Sequence, residues 1–232
     1  MRGEIRVYPN WPFGCILWLM PRTTPLSLNT SEKPLGVSFS AAIICWYQSN
    51  GRHGLPWQNS NEPYNRWISE IMLQQTQVTT VIPYFKRFMK RFPTLAALSS
   101  SQVDDVLEHW AGLGYYARAR NLWKAAGVIM REHNGCFPDS FEEIIALPGI
   151  GRSTAGAILA FAYNRPYPIL DGNVRRVFAR YHSIPGWPGK ASGSNNLWAV
   201  AEQHLPSENI GAYTQGIMDI GCLLYTSDAA DE

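Results

Sequence analysis

The stretch LPGIGRSTAG at 147–156 decides how this chain folds, because Pro-Gly-Ile-Gly interrupts a sequence that otherwise has helical periodicity. A helix is predicted over 140–147 before the interruption, and a second one over 152–163 after it. Gly149 and Gly151 permit left-handed backbone angles. They leave amide groups uncovered at a helix N-terminus, where a phosphate oxygen binds well. The stretch predicts a helix-hairpin-helix, and the alternative is a tight turn between two helices that binds no ligand.

The rest of the chain continues the helical pattern outward from this hairpin. Apolar residues recur at helical spacing, and short runs of Pro, Gly and Asn separate the segments. No alternation typical of a strand has a useful length, so the predicted fold class is all-α. The other predicted helices cover 39–48, a segment opening at Asn61 and Pro63, 79–91, 102–110, 117–132, 173–182, 195–204 and 209–221.

Composition limits the classes of function. A chain of 232 residues can bury one large core or two modest ones. Its 20 Lys and Arg nearly balance 18 Asp and Glu, so nucleic-acid binding requires local clusters and backbone geometry. The four cysteines are scattered without a C-x-x-C pair, which argues against a disulfide framework or a metal site and predicts an intracellular location. No apolar run approaches the ~20 residues of a membrane span.

A glycine-rich loop followed by cations lies at 112–124. Two tyrosines precede Arg118, Arg120 and Lys124, and interleaved rings and cations suit a partly unstacked nucleic acid. Glycines just before Tyr115 form a loop that can present a side chain as a wedge. The alternative is a solvated helix face that covers core aromatic residues.

Two carboxylates have contrasting predicted settings. Glu70 shares a helix face with Trp67 and Gln74, and desolvation there is expected to raise its pKa. Asp171 is predicted to be a helix N-cap, which favours the ionised form. One acid with a raised pKa beside one held ionised is an arrangement used in glycosidic-bond chemistry. The alternatives are a solvent-facing glutamate and a simple helix cap.

From 38 to 221 the chain resembles the adenine DNA glycosylases of the MutY family, within the helix-hairpin-helix superfamily of base-excision enzymes. The strings that carry the resemblance occur in the family's order along the chain. They are LPWQ (55–58), SEIMLQQTQV (69–78), PYFKRF (83–88), GLGYYARARNL (112–122), LPGIGRSTAGAI (147–158), PILDGNVRRV (168–177) and GWPGK (186–190).

The resemblance implies a helix-hairpin-helix DNA glycosylase with two helical lobes and a DNA-binding cleft between them. One lobe is expected at 61–166, and the other combines 36–60 with 167–221. Residues 1–35 are expected to be a disordered or spurious leader, and 222–232 an artefactual tail. The implied partner is double-stranded DNA with an A:8-oxoguanine or A:G mispair, bound by a monomer in the cytoplasm at the nucleoid.

The implied reaction removes adenine after it has been flipped out of the duplex. Glu70 would protonate adenine at N7, and Asp171 would stabilise the oxocarbenium sugar or bond to it transiently. Asn173 would orient the site. The resemblance further implies an adenine pocket at Trp57, Gln58 and Gln215, and DNA contacts at Gln74, Gln75, Tyr115, Gly149, Gly151 and Ser153, with Gln74 and Tyr115 as wedges.

Ser153 bears on the type of reaction. Relatives resembling endonuclease III have a lysine here that forms a Schiff base and cuts the strand. A serine hydroxyl cannot form an imine, so a monofunctional glycosylase is expected. The alternatives are a bifunctional glycosylase/lyase and a non-catalytic helix-hairpin-helix DNA-binding module.

The resemblance also implies a [4Fe–4S] cluster for the full-length family, held by four cysteines. In this register the first ligand would fall at Tyr225, and Cys222 is out of register. We therefore expect the chain to be truncated before the cluster motif, to lack the ligand cysteines and any metal site, and to be unstable or inactive by itself.

Overall fold

The computed structural model describes residues 38–184 and 191–228. The predicted leader (1–35), the GWPGK string and the last residues of the predicted tail lie outside the described residues. Within those ranges all regular elements are helical, which confirms the all-α prediction. The α-helices there are α1 (Phe39–Asn50), α2 (Pro63–Leu73), α3 (Val78–Arg91), α4 (Leu95–Ser99), α5 (Val103–Trp110), α6 (Ala117–Glu132), α7 (Phe141–Ala146), α8 (Arg152–Tyr163), α9 (Gly172–Tyr181), α10 (Ala191–Gln203) and α11 (Ile210–Asp228).

Two short elements do not appear in the prediction. A 3₁₀ turn, Pro56–Asn59, lies in the segment expected to be a loop, and α4 has five residues. The Thr94 hydroxyl caps α4 by accepting from the Ala97 N–H at 3.1 Å. Elements this short contain too few residues for apolar periodicity to be visible.

The buried side chains form two hydrophobic cores. The first gathers α2 to α8 around large residues such as Trp67, Phe88 and Trp110. The second joins α1 to α9, α10 and α11 and contains Phe178. Helix α8 takes part in both, through Ile158 and Ala155 on the first side and Ala157 on the second. The predicted lobe boundaries stay a prediction.

Close packing of α11 on α9 depends on Gly221. A Cβ atom at this position would lie 2.4 Å from the carbonyl oxygen of Asn173, at the start of α9. Only glycine permits this approach, because a real Cβ cannot come so near a backbone oxygen. The contact fixes the first turn of α9, which carries the predicted catalytic residues.

Candidate active site and nucleic-acid interface

The predicted hairpin between α7 and α8 is a closed turn. The Ile150 N–H donates to the Leu147 carbonyl at 3.2 Å, with Pro148 and Gly149 between them. Gly149 has φ +82°, and a Cβ there would lie 2.8 Å from the Cβ of Asn121. Proline followed by a residue with positive φ is typical of a type II turn. The prediction of a helix-hairpin-helix at this place is confirmed.

Gly151 does not adopt the left-handed angles that glycine permits. It is the extended N-cap of α8, with φ −97° and ψ 171°. A Cβ atom there would meet nothing within 4 Å. Among the described residues, the N–H groups of Gly149 and Gly151 donate to no acceptor. With the first N–H groups of α8, they leave an open row of donors at a helix N-terminus.

Glu70 lies near the end of α2, one turn after the buried Arg66 and beside the fully buried Trp67. The pKa of the Glu70 carboxyl is raised to about 7, first by burial and then by the negative charge of Asp171, while the Arg66 guanidinium opposes both. The predicted upward shift is confirmed. A carboxyl group with this pKa is a proton donor at neutral pH.

Asp171 caps α9, as predicted. Its Oδ1 accepts from the Val174 N–H at 2.8 Å, and its Oδ2 accepts from Asn173 Nδ2 at 3.3 Å. The expectation that capping holds its pKa low is wrong: burial raises the pKa and outweighs these hydrogen bonds and the charge of Arg176. The negative charge of Asp171 is one of the causes of the raised pKa of Glu70. The assignment of one anionic and one protonated acid stays a prediction.

Neighbouring side chains fix this aspartate on both sides. Asn173 Oδ1 accepts from Arg176 Nη1 at 3.1 Å, and the same Nη1 donates to the Gly221 carbonyl at 2.7 Å. On the other side, Ser153 Oγ accepts from the Leu170 N–H at 3.0 Å. The Ser153 hydroxyl therefore contacts the segment that leads into the aspartate.

A cavity of about 520 Å³ lies between α1, the 3₁₀ turn, α2, α8 and α11. Arg66, which lines it, is 7% exposed, and its Nε has no hydrogen-bond partner among the described residues. The cavity is polar, with a buried cation one helical turn from Glu70. Its other polar lining residues are Tyr47, His53, Gln58, Asn59, Asn61, Asn164, Asn209 and Gln215.

Two of the three predicted adenine-pocket residues line this cavity. Gln58 has both ends engaged: its Oε1 accepts from the Leu55 N–H at 3.0 Å, and its Nε2 donates to the Arg52 carbonyl at 2.9 Å. Trp57, the third, is 2% exposed and packs edge-on against Phe85, with ring centroids 5.4 Å apart. It belongs to the first core and does not line the cavity.

Gln215 is oriented by an ion pair between the half-exposed Arg52 and the buried Asp219, which the sequence did not predict. Its Nε2 donates to Asp219 Oδ1 at 2.9 Å. Asp219 is 2% exposed and also accepts from Nη2 of Arg52 at 2.6 Å and from its Nε at 2.9 Å. A carboxylate only accepts, so Gln215 must turn its N–H₂ to Asp219, and its Oε1 remains available in the cavity wall.

The predicted DNA-contacting side chains fall into two groups. Tyr115 is 63% exposed with φ +49°, and Gln75 is exposed with φ +55°. Gln74, predicted as a wedge, is half-buried, and its Nε2 donates to Thr154 Oγ1 at 3.2 Å. Two residues therefore project from their turns, while Gln74 joins its turn to the N-terminus of α8.

Contrary to the prediction, Arg118 does not face the nucleic-acid surface. Its guanidinium points inward and donates to backbone carbonyls of two turns, including that of Gln74 at 2.5 Å. Sequence periodicity indicates this inward orientation, because Arg118 lies four residues before the buried Leu122 and therefore on the same face of α6.

The described residues offer no ligand set for a metal or a cluster. Among them, no three His, Cys, Asp or Glu side chains come together in a way that could hold a metal ion. Cys45, Cys136 and Cys222 are free thiols on separate elements and do not fit a four-cysteine cluster site. In the same residues, no helix has the length and apolar character to cross a membrane.

The fold and the site define a class: an all-helical protein in which a helix-hairpin-helix lies beside two half-buried acids. Residues 68–203 match the family described as HhH-GPD superfamily base excision DNA repair protein. The chain belongs to this superfamily.

Curated relatives and solved structures agree with this membership. The chain is 51% identical over 189 residues to the adenine DNA glycosylase of Buchnera aphidicola subsp. Acyrthosiphon pisum. The aligned region covers 82% of this chain and 54% of that protein. It is 38% identical over 239 residues to the adenine DNA glycosylase of Homo sapiens, covering 97% of this chain and 43% of that protein. The chain thus spans about half the length of the curated relatives it matches.

Among solved structures, a thermostable thymine-DNA glycosylase matches with a TM-score of 0.72 and 24% identity, over 80% of this chain and 85% of that one. A non-covalent endonuclease III–DNA complex matches with a TM-score of 0.65 and 19% identity, over 77% of this chain and 80% of that one. These two matches support the fold.

Proposed function

We propose that this chain carries the catalytic site of a monofunctional adenine DNA glycosylase that acts on adenine opposite 8-oxoguanine or guanine. The observation that carries the proposal is the pairing of Glu70, whose pKa burial and the charge of Asp171 raise to about 7, with Asp171 at the N-cap of α9. Relatives named adenine DNA glycosylase support the choice of adenine.

In the proposed reaction, the C1′–N9 bond of a flipped deoxyadenosine breaks and its electron pair leaves with the base. Glu70 donates its proton to N7, which makes adenine a neutral leaving group. The Asp171 carboxylate stabilises the positive charge that develops at C1′. Water then adds at C1′ and gives a proton to the Glu70 carboxylate, which restores the acid and leaves an abasic site.

The cavity lined by Arg66, one helical turn before Glu70, is the proposed pocket for the flipped base. Its volume of about 520 Å³ is ample for a purine. The Gln215 Oε1, oriented by Asp219, would accept a hydrogen bond from the exocyclic amino group of adenine. A 6-oxo purine presents an acceptor at that position and would be disfavoured.

Ser153 supports a monofunctional reaction. Its hydroxyl is engaged with the Leu170 N–H, and a hydroxyl cannot form the imine that strand cleavage by elimination requires. Asp171 follows directly after Leu170, so Ser153 in this proposal positions the carboxylate that stabilises C1′.

The proposed partner is duplex DNA, bound by a monomer inside the cell. The open donors at Gly149 and Gly151 would hold a backbone phosphate. The exposed Gln75 and Tyr115 would contact the base stack beside the flipped nucleotide.

The decisive experiment measures abasic-site formation in a duplex with one A:8-oxoguanine pair. Glu70→Gln removes the proton donor, and excision should fall at least ~100-fold while DNA affinity stays within about twofold. Glu62→Gln, an exposed change at the start of the same helix, serves as the matched control. Full turnover by Glu70→Gln would refute the assigned role. No abasic product even from a chain extended to the length of its curated relatives would leave the non-catalytic DNA-binding module as the interpretation.

Borohydride treatment during the reaction tests the monofunctional character. An imine between protein and sugar would be reduced to a stable covalent adduct, and the proposal expects none. A strong adduct would instead favour the bifunctional glycosylase/lyase.

A further inference from the structure

Arg118 joins two turns that are 40 residues apart in sequence but adjacent in space. Its guanidinium is held by carbonyl and hydroxyl oxygens from the turn after α2 and from the turn before α6. Nη1 donates to the carbonyls of Ile71, Met72 and Gln74 at 3.0, 2.9 and 2.5 Å, and Nη2 donates to Thr76 Oγ1 and the carbonyls of Leu113 and Gly114 at 3.2, 3.3 and 3.2 Å.

This contact stabilises both turns. The carbonyls at the end of α2 lack intrahelical partners and form the negative end of the helix dipole, so a cation there is favourable. The guanidinium also lies over the rings of Trp110 and Tyr115, at 5.5 and 5.4 Å from their centroids. Burial lowers the pKa of Arg118, but a guanidinium remains charged at neutral pH. The arginine fork reaches two segments at once, which a lysine cannot reproduce.

Each of the two turns carries one exposed residue in the left-handed region. Gln75, with φ +55°, follows Gln74, and Tyr115, with φ +49°, follows Gly114. Arg118 binds the carbonyl of the residue before each of them. A left-handed conformation costs a non-glycine residue about 1 kcal/mol or more, so the surrounding contacts must hold it.

We propose that Arg118 is a positioning residue that holds Gln75 and Tyr115 in one fixed arrangement, so that both contact the base stack together when the target base is extruded. The inference rests on the proposed function and goes beyond it. In this proposal a residue that does not contact DNA sets the geometry of the surface that opens the duplex. Loss of the guanidinium would let the two turns relax separately.

The test compares Arg118→Met with Arg131→Met, an exposed change on the same helix. Excision is measured on adenine opposite 8-oxoguanine in a full duplex and on adenine in an unpaired bubble, where the base is already unstacked. Arg118→Met should lose at least tenfold on the duplex and less than threefold on the bubble, and Arg131→Met should match the parent on both. Equal losses on the two substrates, or no loss on the duplex, would overturn the proposal.

A second readout needs no catalysis. A duplex with 2-aminopurine beside a 2′-fluoro-deoxyadenosine resists cleavage and fluoresces when its bases unstack. Fluorescence should rise with the parent chain and with Arg131→Met but not with Arg118→Met, at protein concentrations that saturate binding. An equal rise with Arg118→Met would overturn the positioning role even if no protein excised adenine, so the two proposals fail separately.

Circular dichroism verifies that Arg118→Met is folded. Should it unfold, Arg118→Lys keeps the charge and provides the same comparison. The lysine has one ammonium group for two turns, so a loss confined to the duplex is expected of it too. Activity equal to the parent on both substrates would overturn the proposal.

Discussion

At the residue scale, Glu70 shows how the proposed chemistry conflicts with stability. Its pKa rises from 4.5 in the unfolded chain to about 7 in the folded one. Above pH 7 the group is ionised in both states, and the folded state disfavours its charge. The stabilisation of the protonated form is complete below pH 4.5 and disappears as the pH rises through 7.

Glu70→Gln should therefore stabilise the chain at pH 8 and leave its stability nearly unchanged at pH 4. The shift corresponds to at most about 3 kcal/mol at 1.36 kcal/mol per pH unit, and solvent access to the partly exposed side chain reduces it. Urea unfolding at the two pH values measures the effect. An equal gain at both would show that packing, and not charge, distinguishes glutamine from glutamate.

Asp219 should influence which base is excised. Asp219→Asn gives Gln215 a partner that can both donate and accept, so the Gln215 amide can turn its N–H₂ to the cavity. The preference for adenine over hypoxanthine, measured as the ratio of excision rates opposite one partner base, should fall about tenfold. The unmodified chain and Asp219→Glu, whose carboxylate still only accepts hydrogen bonds, provide the comparison. An unchanged ratio in the asparagine variant would exclude this role for the buried carboxylate.

At the element scale, apolar periodicity and capping residues predict most helices of this chain. The bounds of α6 and α8 are those predicted, because apolar spacing and Gly or Asn punctuation coincide there. The α11 helix continues to Asp228, seven residues past its predicted end at 221. Of the two hairpin glycines, Gly149 has a positive φ and Gly151 does not, because glycine permits positive φ without requiring it.

The packing of α11 on α9 provides the prediction for this scale. Gly221→Ala places a methyl group 2.4 Å from the Asn173 carbonyl oxygen, which should destabilise the chain by about 2 kcal/mol. Excision should fall as well, because the shift moves Asn173 and the cap of α9. Thermal unfolding should show a decrease of about 5 °C.

Gly211→Ala is the matched control for this change. It lies in the same helix, and its added Cβ would make an ordinary 3.6 Å contact with the Ala160 carbonyl oxygen. Stability should be unchanged or slightly higher, since alanine favours helix. Equal effects of the two substitutions would mean that close packing at 221 does not position α9.

At the scale of the whole molecule, the sequence predicts which residues are candidates for the functional site better than it predicts the contacts of these residues. The cap at Asp171 is a bond to Val174, three residues away, and Trp67 on the same helix face indicated the burial that raises the pKa of Glu70. The inward orientation of Arg118 and the Arg52–Asp219 ion pair join segments 40 and 167 residues apart. Short-range patterns contain no information about such pairs, because side-chain direction is decided when the helices pack.

The two cores should unfold as one unit, since α8 belongs to both. Its Ile158 and Ala157 point into the first and the second core respectively, so loss of either core exposes a buried face of the same helix. Phe88→Leu, a change confined to the first core, should destabilise the chain by about 1 kcal/mol. It should shift the unfolding of both cores equally.

Fluorine NMR of 5-fluorotryptophan during urea unfolding measures this coupling. Trp110 reports on the first core and Trp46 on the second, and both are buried. Coincident midpoints for both signals, moved together by Phe88→Leu, are expected of a single cooperative unit. A Trp46 midpoint that stays in place would mean that the cores unfold separately. In that case α8 would not couple the element carrying Glu70 to the one carrying Asp171, and the electrostatic pairing of the two acids would depend on contacts outside this helix.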